Sequence, residues 1–151
     1  MKSTLRQLRE ATVREHMEAE NAHDFDRCIA AFSHPRYEIV ATGEVWHGHS
    51  GVNTLLNDNK KGFPNFRFQP ETMHHAENAV IVEGRFIRTH DGNWRGLPAT
   101  GRKVDFPLII VFNSKKNEWS ARRHTSTSAR HSDSSVSRVI PTHAAEGSRP
   151  R

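Results

Sequence analysis

The sequence predicts an α+β cone: N-terminal helices packed on a strongly curved antiparallel sheet, with an interior pocket between the two layers. Three observations carry this expectation. Apolar residues recur at helical spacing up to about residue 60, the period falls to two after Pro64, and all 8 Phe and 3 Trp lie before residue 120. A sheet that buries one face against helices must curl to do so.

Leu5, Leu8, Val13 and Met17 alternate with polar residues and predict a first helix from about residue 4 to 20. Asp24 is placed to cap a second helix, on which Phe25, Cys28, Ile29 and Phe32 fall at i, i+3, i+4 and i+7. Pro35 closes it. Tyr37, Ile39 and Val40 begin extended structure, and Gly43-Glu44 turns the chain before Val45-Trp46-His47. A third helix is expected from Ser50 to Lys60 with Val52, Leu55 and Leu56 inward, ended by Gly62 and Pro64. Phe66 and Phe68 then alternate with Arg67 and Gln69. Strands follow over Ala79 to His90, Lys103 to Asn113 and Glu118 to about Thr125, with turns at Asp91-Gly92 and Ser114 to Asn117.

The length of 151 residues suits one domain and a tail. Composition breaks near residue 125: from Thr125 to Arg151 there are seven Ser, three Thr, four Arg and no aromatic residue. Such a segment cannot repay the entropy of ordering itself, so residues 1–125 are expected to form the domain and 126–151 a flexible Ser/Arg-rich tail. The tail holds part of the formal charge of +5, and the remaining basic residues are scattered in short pairs, which weakens a nucleic-acid reading. The single cysteine, Cys28, excludes an intramolecular disulfide framework and any multi-cysteine metal site. Met1 to Glu10 carries spaced charges and no continuous apolar run, so neither a secretory signal nor a membrane span is expected there, and the protein is read as cytoplasmic.

The run Thr89-His90-Asp91-Gly92-Asn93-Trp94-Arg95-Gly96-Leu97-Pro98-Ala99-Thr100-Gly101-Arg102-Lys103-Val104-Asp105-Phe106 resembles the central signature of SnoaL-like polyketide cyclases and predicted ester cyclases, within the nuclear-transport-factor-2-like superfamily. His34-Pro35-Arg36-Tyr37 and His47-Gly48-His49-Ser50-Gly51-Val52 are similar to the family's pattern as well, and the resemblance covers about residues 10 to 124. It implies the cone fold, a small-molecule ligand and a homodimer that covers the open sheet face. It also implies an acid or base on the last strand, where the family cyclases carry an Asp for intramolecular aldol closure. This chain reads Ser120-Ala121-Arg122-Arg123-His124-Thr125 there, which sets His124 at that position.

His124, Asp105 and Arg122 are therefore the candidate catalytic group. A His held by a carboxylate suits proton transfer near neutral pH, and Arg122 would stabilise the anion formed next to a carbonyl. The alternative is that His124 marks the end of the ordered sheet and Asp105 pairs with Arg122 at its surface. Tyr37, Trp46, His47, Phe86, Phe106, Ile109 and Trp119 are the candidate pocket residues, with Tyr37, the only tyrosine, offering a hydroxyl to a ligand oxygen. Trp94 and Leu97-Pro98 are read as covering the mouth of the cone or as a dimer contact.

No metal site is expected. His47-x-His49 lacks a third ligand at diagnostic spacing, and His74 and His75, adjacent on a strand, point to opposite faces. Cys28 falls on an inner helical stripe, where a small apolar filler is the usual role. Ser50 lacks the Gly-x-Ser-x-Gly elbow, and no phosphate-binding glycine loop occurs. The expected function is a pocket protein for a small, apolar carbonyl or ester compound, without cofactor, acting by isomerisation, cyclisation or hydrolysis. The alternative is a non-catalytic ligand-binding or dimerisation domain. Nucleic-acid association through the tail is a third and weaker class.

Overall fold

The computed structural model describes residues 4–115 and 118–125, with no side chains described at 115, 118–120 or 122–125. The order is α1 (Leu5–Asn21), α2 (Phe25–Ala30), β1 (Arg36–Ile39), β2 (Glu44–His47), α3 (Gly48–Gly62), β3 (Arg67–Ala76), β4 (Ala79–Thr89), β5 (Lys103–Lys115) and β6 (Glu118–Thr125). The fold is the expected α+β cone, with three helices against one face of a six-stranded sheet. The Ser/Arg-rich stretch from residue 126 onward lies outside the described residues.

Local chemistry sets the helix starts. Thr4 caps α1 in a reciprocal capping box with Gln7, and the Asp24 side chain accepts the Arg27 N–H at the head of α2. The buried stripe of α1 is Val13, His16, Met17 and Glu20, four positions at helical spacing of which two are polar. Leu5 and Leu8, expected on that stripe, are 55% and 54% exposed. Leu5 and Leu8 face solvent there, while the neighbouring Arg9 and Glu10 reach Glu77 O and His75 at the turn between β3 and β4. Phe25, Cys28 and Ile29 on α2 and Phe32 just after it are buried, as are Val52, Leu55 and Leu56 on α3.

The strand order is β2-β1-β6-β5-β4-β3. β3, β4, β5 and β6 form an antiparallel meander, while β1 joins β6 in parallel. A wholly antiparallel sheet was the expectation, and that one parallel pair departs from it. The pair arises because the β1–β2 hairpin lies beside β6, at the end of the meander away from β3. An extra residue, Glu71, sits between the Pro70 and Thr72 pairings on edge strand β3 and bends it. Gly84 faces that bend, where an added Cβ would stand 2.2 Å from the Gln69 carbonyl oxygen.

Alternation then decides which side chains face the helices. On β4 these are Val80, Val82, Phe86, Arg88 and, just beyond the strand, His90; on β5 they are Phe106, Leu108, Ile110, Phe112 and Ser114. The aromatic core runs from Phe25 and Phe66 through Phe86 to Phe106, with ring centroids 5.7 to 6.2 Å apart.

Candidate functional site

Two groups of buried polar side chains stand against this core. The first joins α1, α2 and β1. Tyr37 Oη lies 2.6 Å from His16 Nε2 and 3.2 Å from Glu20 Oε2, and His16 Nε2 is 3.4 Å from the same carboxylate oxygen. His16 and Glu20 meet because they are one helical turn apart on α1, and Tyr37 reaches both from the inner face of β1. His16 and Tyr37 are each 1% exposed, so these contacts are made away from water.

The imidazole is oriented from its other side. His16 Nδ1 lies 2.9 Å from the Cys28 carbonyl oxygen, which only accepts, so Nδ1 carries a proton. A neutral His16 therefore presents the Nε2 lone pair to the Tyr37 hydroxyl. With one more proton in the network, Nε2–H donates to Tyr37 and the hydroxyl donates to Glu20. The group thus has two consistent hydrogen-bonded states that differ by a single proton. Phe32 stacks on the imidazole at 4.2 Å and Phe112 meets its edge at 5.6 Å, which excludes water from both flanks.

Cys28 belongs to this group and is more than an apolar filler, since its Sγ is 3.4 Å from His16 Nδ1 and 3.7 Å from Tyr37 Oη. His16, Glu20 and Cys28 each offer a donor atom within 4.8 Å of the others, a set of N, O and S ligands of the kind zinc takes. An ion there would have to displace the hydrogen bond between Tyr37 and His16. Sequence reasoning set no metal site and passed over this triad, because Cys28 joins the α1 pair from a different helix.

The second group lies where β4 runs out toward its connection with β5. The Arg88 guanidinium sits 3.8 Å above the Phe63 ring and 5.3 to 5.7 Å from the rings of Phe86, Trp94 and Phe106. His90 packs on Phe63 at 5.1 Å, and its Nδ1 lies 3.1 Å from Thr100 Oγ1. His90 Nε2 and Trp94 Nε1 are buried without a hydrogen-bond partner among the described residues. Each such group costs about 1–3 kcal/mol when left unmade.

The residues singled out from sequence distribute as follows. Asp105 lies on the outer face of β5 and pairs with Arg85 at 2.8 Å, with both side chains well exposed. Register places His124 opposite Ile109 and Arg122 opposite Val111. His124 is thus four residues along from Asp105, about 13 Å, which is beyond the reach of a direct hydrogen bond. The expected Asp105–His124–Arg122 constellation is therefore not brought together by the backbone. The side chains of His124, Arg122 and Trp119 lie outside the described residues. Ile109 shares the outer face with Asp105, because it lies three positions from inward Phe106 and an odd offset reverses the face. Phe86 and Phe106 line the interior, and Trp46 packs half-buried against the core beneath the Arg95 guanidinium. His47 is exposed at the start of α3, and His49 approaches Asp26 at 3.5 Å on the surface.

The SnoaL-like domain family model matches residues 13–121 of the chain. The chain belongs to the SnoaL-like domain family. Solved structures give the same fold. A protein provisionally assigned as a polyketide cyclase from Xanthomonas campestris pv. campestris aligns with a TM-score of 0.72 at 16% identity, covering 82% of this chain and 93% of that one. An NTF2-like protein of unknown function from Burkholderia pseudomallei K96243 gives 0.66 at 19% identity, with 78% and 90% covered. A protein with a ketosteroid isomerase-like fold from Catenulispora acidiphila DSM 44928, solved in complex with trimethylamine, gives 0.62 at 14% identity, with 76% and 85% covered. No curated protein matches the chain. The span matched as a SnoaL-like domain contains both buried polar groups. Among the described residues no helix is long and apolar enough to cross a membrane.

Proposed function

We propose that this SnoaL-like domain takes a small, apolar carbonyl or ester compound into the interior of the cone and moves a proton on it, with Tyr37 as donor and His16 as acceptor. The observation that carries this reading is the 2.6 Å separation of Tyr37 Oη and His16 Nε2 within an aromatic, water-excluding surround. A ligand oxygen that accepts the Tyr37 hydroxyl proton in a hydrogen bond releases the Nε2 lone pair. His16 then takes a proton from the carbon next to the carbonyl, and the electron pair of that C–H bond moves to the oxygen, which Tyr37 stabilises. Glu20 balances the imidazolium that results, and the proton returns to the same or a neighbouring carbon. The balance closes without a cofactor.

A second reading has its own support. Tyr37 and His16 are almost fully buried, and their hydrogen bonds pin α1 to β1. On that account the network is a rigid polar core, and the domain binds its ligand without chemistry. Hydrogen–deuterium exchange of β-tetralone in D2O separates the two. The proton-transfer reading expects exchange above the buffer rate that falls about tenfold or more in Tyr37→Phe and in His16→Gln. Exchange at the buffer rate, or equal exchange in folded Tyr37→Phe, rejects it.

A further inference from the structure

We infer that residues 91–101, between β4 and β5, form a strap across the mouth of the cone, latched by Arg95 on Glu44 and Trp46, and that its release opens the interior to the small molecule. The inference rests on the small-molecule reading above and is independent of its proton transfer. Tyr37 and His16 are each 1% exposed, so a molecule reaches them only when part of their surround moves.

The strap spans the concave side of the sheet. It leaves the sheet at β4 and its tip meets β2, with β1, β6 and β5 between them in the strand order. Measured along the sheet that is about 19 Å at the usual strand spacing, so the connection runs as a chord across the curve. Arg95 Nη1 donates to Glu44 Oε1 at 2.8 Å, and its guanidinium lies 5.7 Å from the Trp46 ring and 5.2 Å from that of Trp94. Glu44 and Trp46 alternate onto the same face of β2, and Trp46 is the direct partner of Tyr37 on β1. The latch therefore closes over the strand pair that carries Tyr37.

The strap has fixed roots and a stiff tip. His90 donates its backbone N–H to Arg102 O and accepts at its carbonyl from Thr100 N and Gly101 N, while Gly92 donates to Gly62 O at the end of α3. Further out, Trp94 and Leu97 exchange backbone hydrogen bonds around Arg95 and Gly96, whose φ values of 51° and 85° make a tight two-residue turn. Asn93 Oδ1 accepts from Gly96 N within the same turn. The tip thus moves as one piece.

Its closed position is weakly held. The Arg95 and Glu44 side chains are 36% and 37% exposed, so water and salt screen their attraction. Arg95 occupies the left-handed region, which a residue with a Cβ enters at a cost. Trp94 packs on Phe63 at 5.4 Å with its Nε1 buried and without a partner among the described residues, and lifting it gives that N–H to water. A screened outer latch set against an unmet buried donor brings the closed and open positions close in free energy.

The test follows the Trp94 indole N–H of the full chain by NMR in D2O, beside the Phe112 amide at the sheet centre, and the labelling of Cys28 by methyl methanethiosulfonate. Cys28 is the only cysteine and its Sγ lies 3.7 Å from Tyr37 Oη, so its thiol reports access to the interior. The expected result is a Trp94 indole protected about tenfold less, or weaker still, than the Phe112 amide. Glu44→Gln speeds both indole exchange and Cys28 labelling severalfold and leaves the Phe112 amide unchanged, whereas Glu15→Gln, at a surface pair away from the strap, changes none of them. Raising NaCl to about 1 M speeds indole exchange of the parent in the same way. An indole proton protected as fully as the Phe112 amide, or indifferent to both Glu44→Gln and salt, overturns the latch. Indole exchange that rises while Cys28 labelling does not overturns the gate, since the strap then lifts without opening the interior. A strap that opens with no β-tetralone exchange sinks only the proton transfer, and the reverse sinks only the strap.

Discussion

Tyr37 on β1 and His16 on α1 meet through a single hydroxyl, 2.6 Å from Oη to Nε2, which is a direct polar tie between the helix layer and the sheet. Removing that hydroxyl takes away the 2.6 Å hydrogen bond that His16 Nε2 makes in a dry setting. Tyr37→Phe is therefore expected to lower stability by about 1–3 kcal/mol, seen in urea as an earlier midpoint at unchanged slope. A loss below about 0.5 kcal/mol would show that the network adds nothing to the core.

Asn21 closes α1 onto the sheet edge in both directions. Its Nδ2 donates to Phe68 O and its Oδ1 accepts from Phe68 N, each at 2.8 Å. Asn21→Ala is expected to cost about 1–2 kcal/mol, and hydrogen exchange at Phe68 should speed up ahead of the sheet centre. Uniform acceleration across the sheet would contradict a local clamp.

Gly92 donates its N–H to Gly62 O, and a Cβ there would lie 1.9 Å from Lys61 O. Backbone against backbone cannot yield as a flexible side chain does, so Gly92→Ala must lift the β4–β5 connection off α3. Thermal unfolding should fall by several degrees, a cost of about 1–3 kcal/mol. A variant that keeps its melting temperature would show the contact to be easily relieved.

Arg27 on α2 pairs with Glu15 on α1 at the surface, and this hydrogen bond holds the Glu15 carboxyl below its usual range. A depressed carboxylate stabilises the fold above its unfolded pKa and loses that contribution as pH falls through the folded one. Glu15→Gln should consequently be slightly less stable than the parent at pH 7 and indistinguishable from it in strong acid. Because both groups are exposed, the difference should be small and shrink with added salt. A gap that persists at high salt and low pH would point to packing instead.

Much of the architecture was readable because it is periodic. Ala79–Thr89 and Lys103 onward are apolar-rich runs of strand length bounded by turn residues, and the α2 stripe with its Asp24 cap is complete within nine residues. The site was harder to read for the same reason. His16 and Glu20 occupy the inner stripe of α1 with Val13 and Met17, yet a search for apolar periodicity passes over polar residues and favours Leu5 and Leu8. Their spacing from Val13 was the available signal. Arg88 and His90 were hidden similarly, as polar residues continuing the inward parity of Phe86. The pairing proposed between Asp105 and His124 depended on register, and no local pattern specifies that Ile109 is the partner of His124.

The parallel docking of β1 on β6 also governs the order in which the molecule assembles. Tyr37 pairs with Ala121, so the first strand made can be seated only after nearly the whole domain exists. The β3–β4–β5 meander has all its partners close in sequence and can form early. Until β6 arrives, the β1–β2 hairpin has no sheet to join and Tyr37 has no fixed position from which to meet His16. Closing so long a loop is entropically costly, so the seating of β1 on β6, and with it the Tyr37–His16 hydrogen bond, is expected to come late in folding.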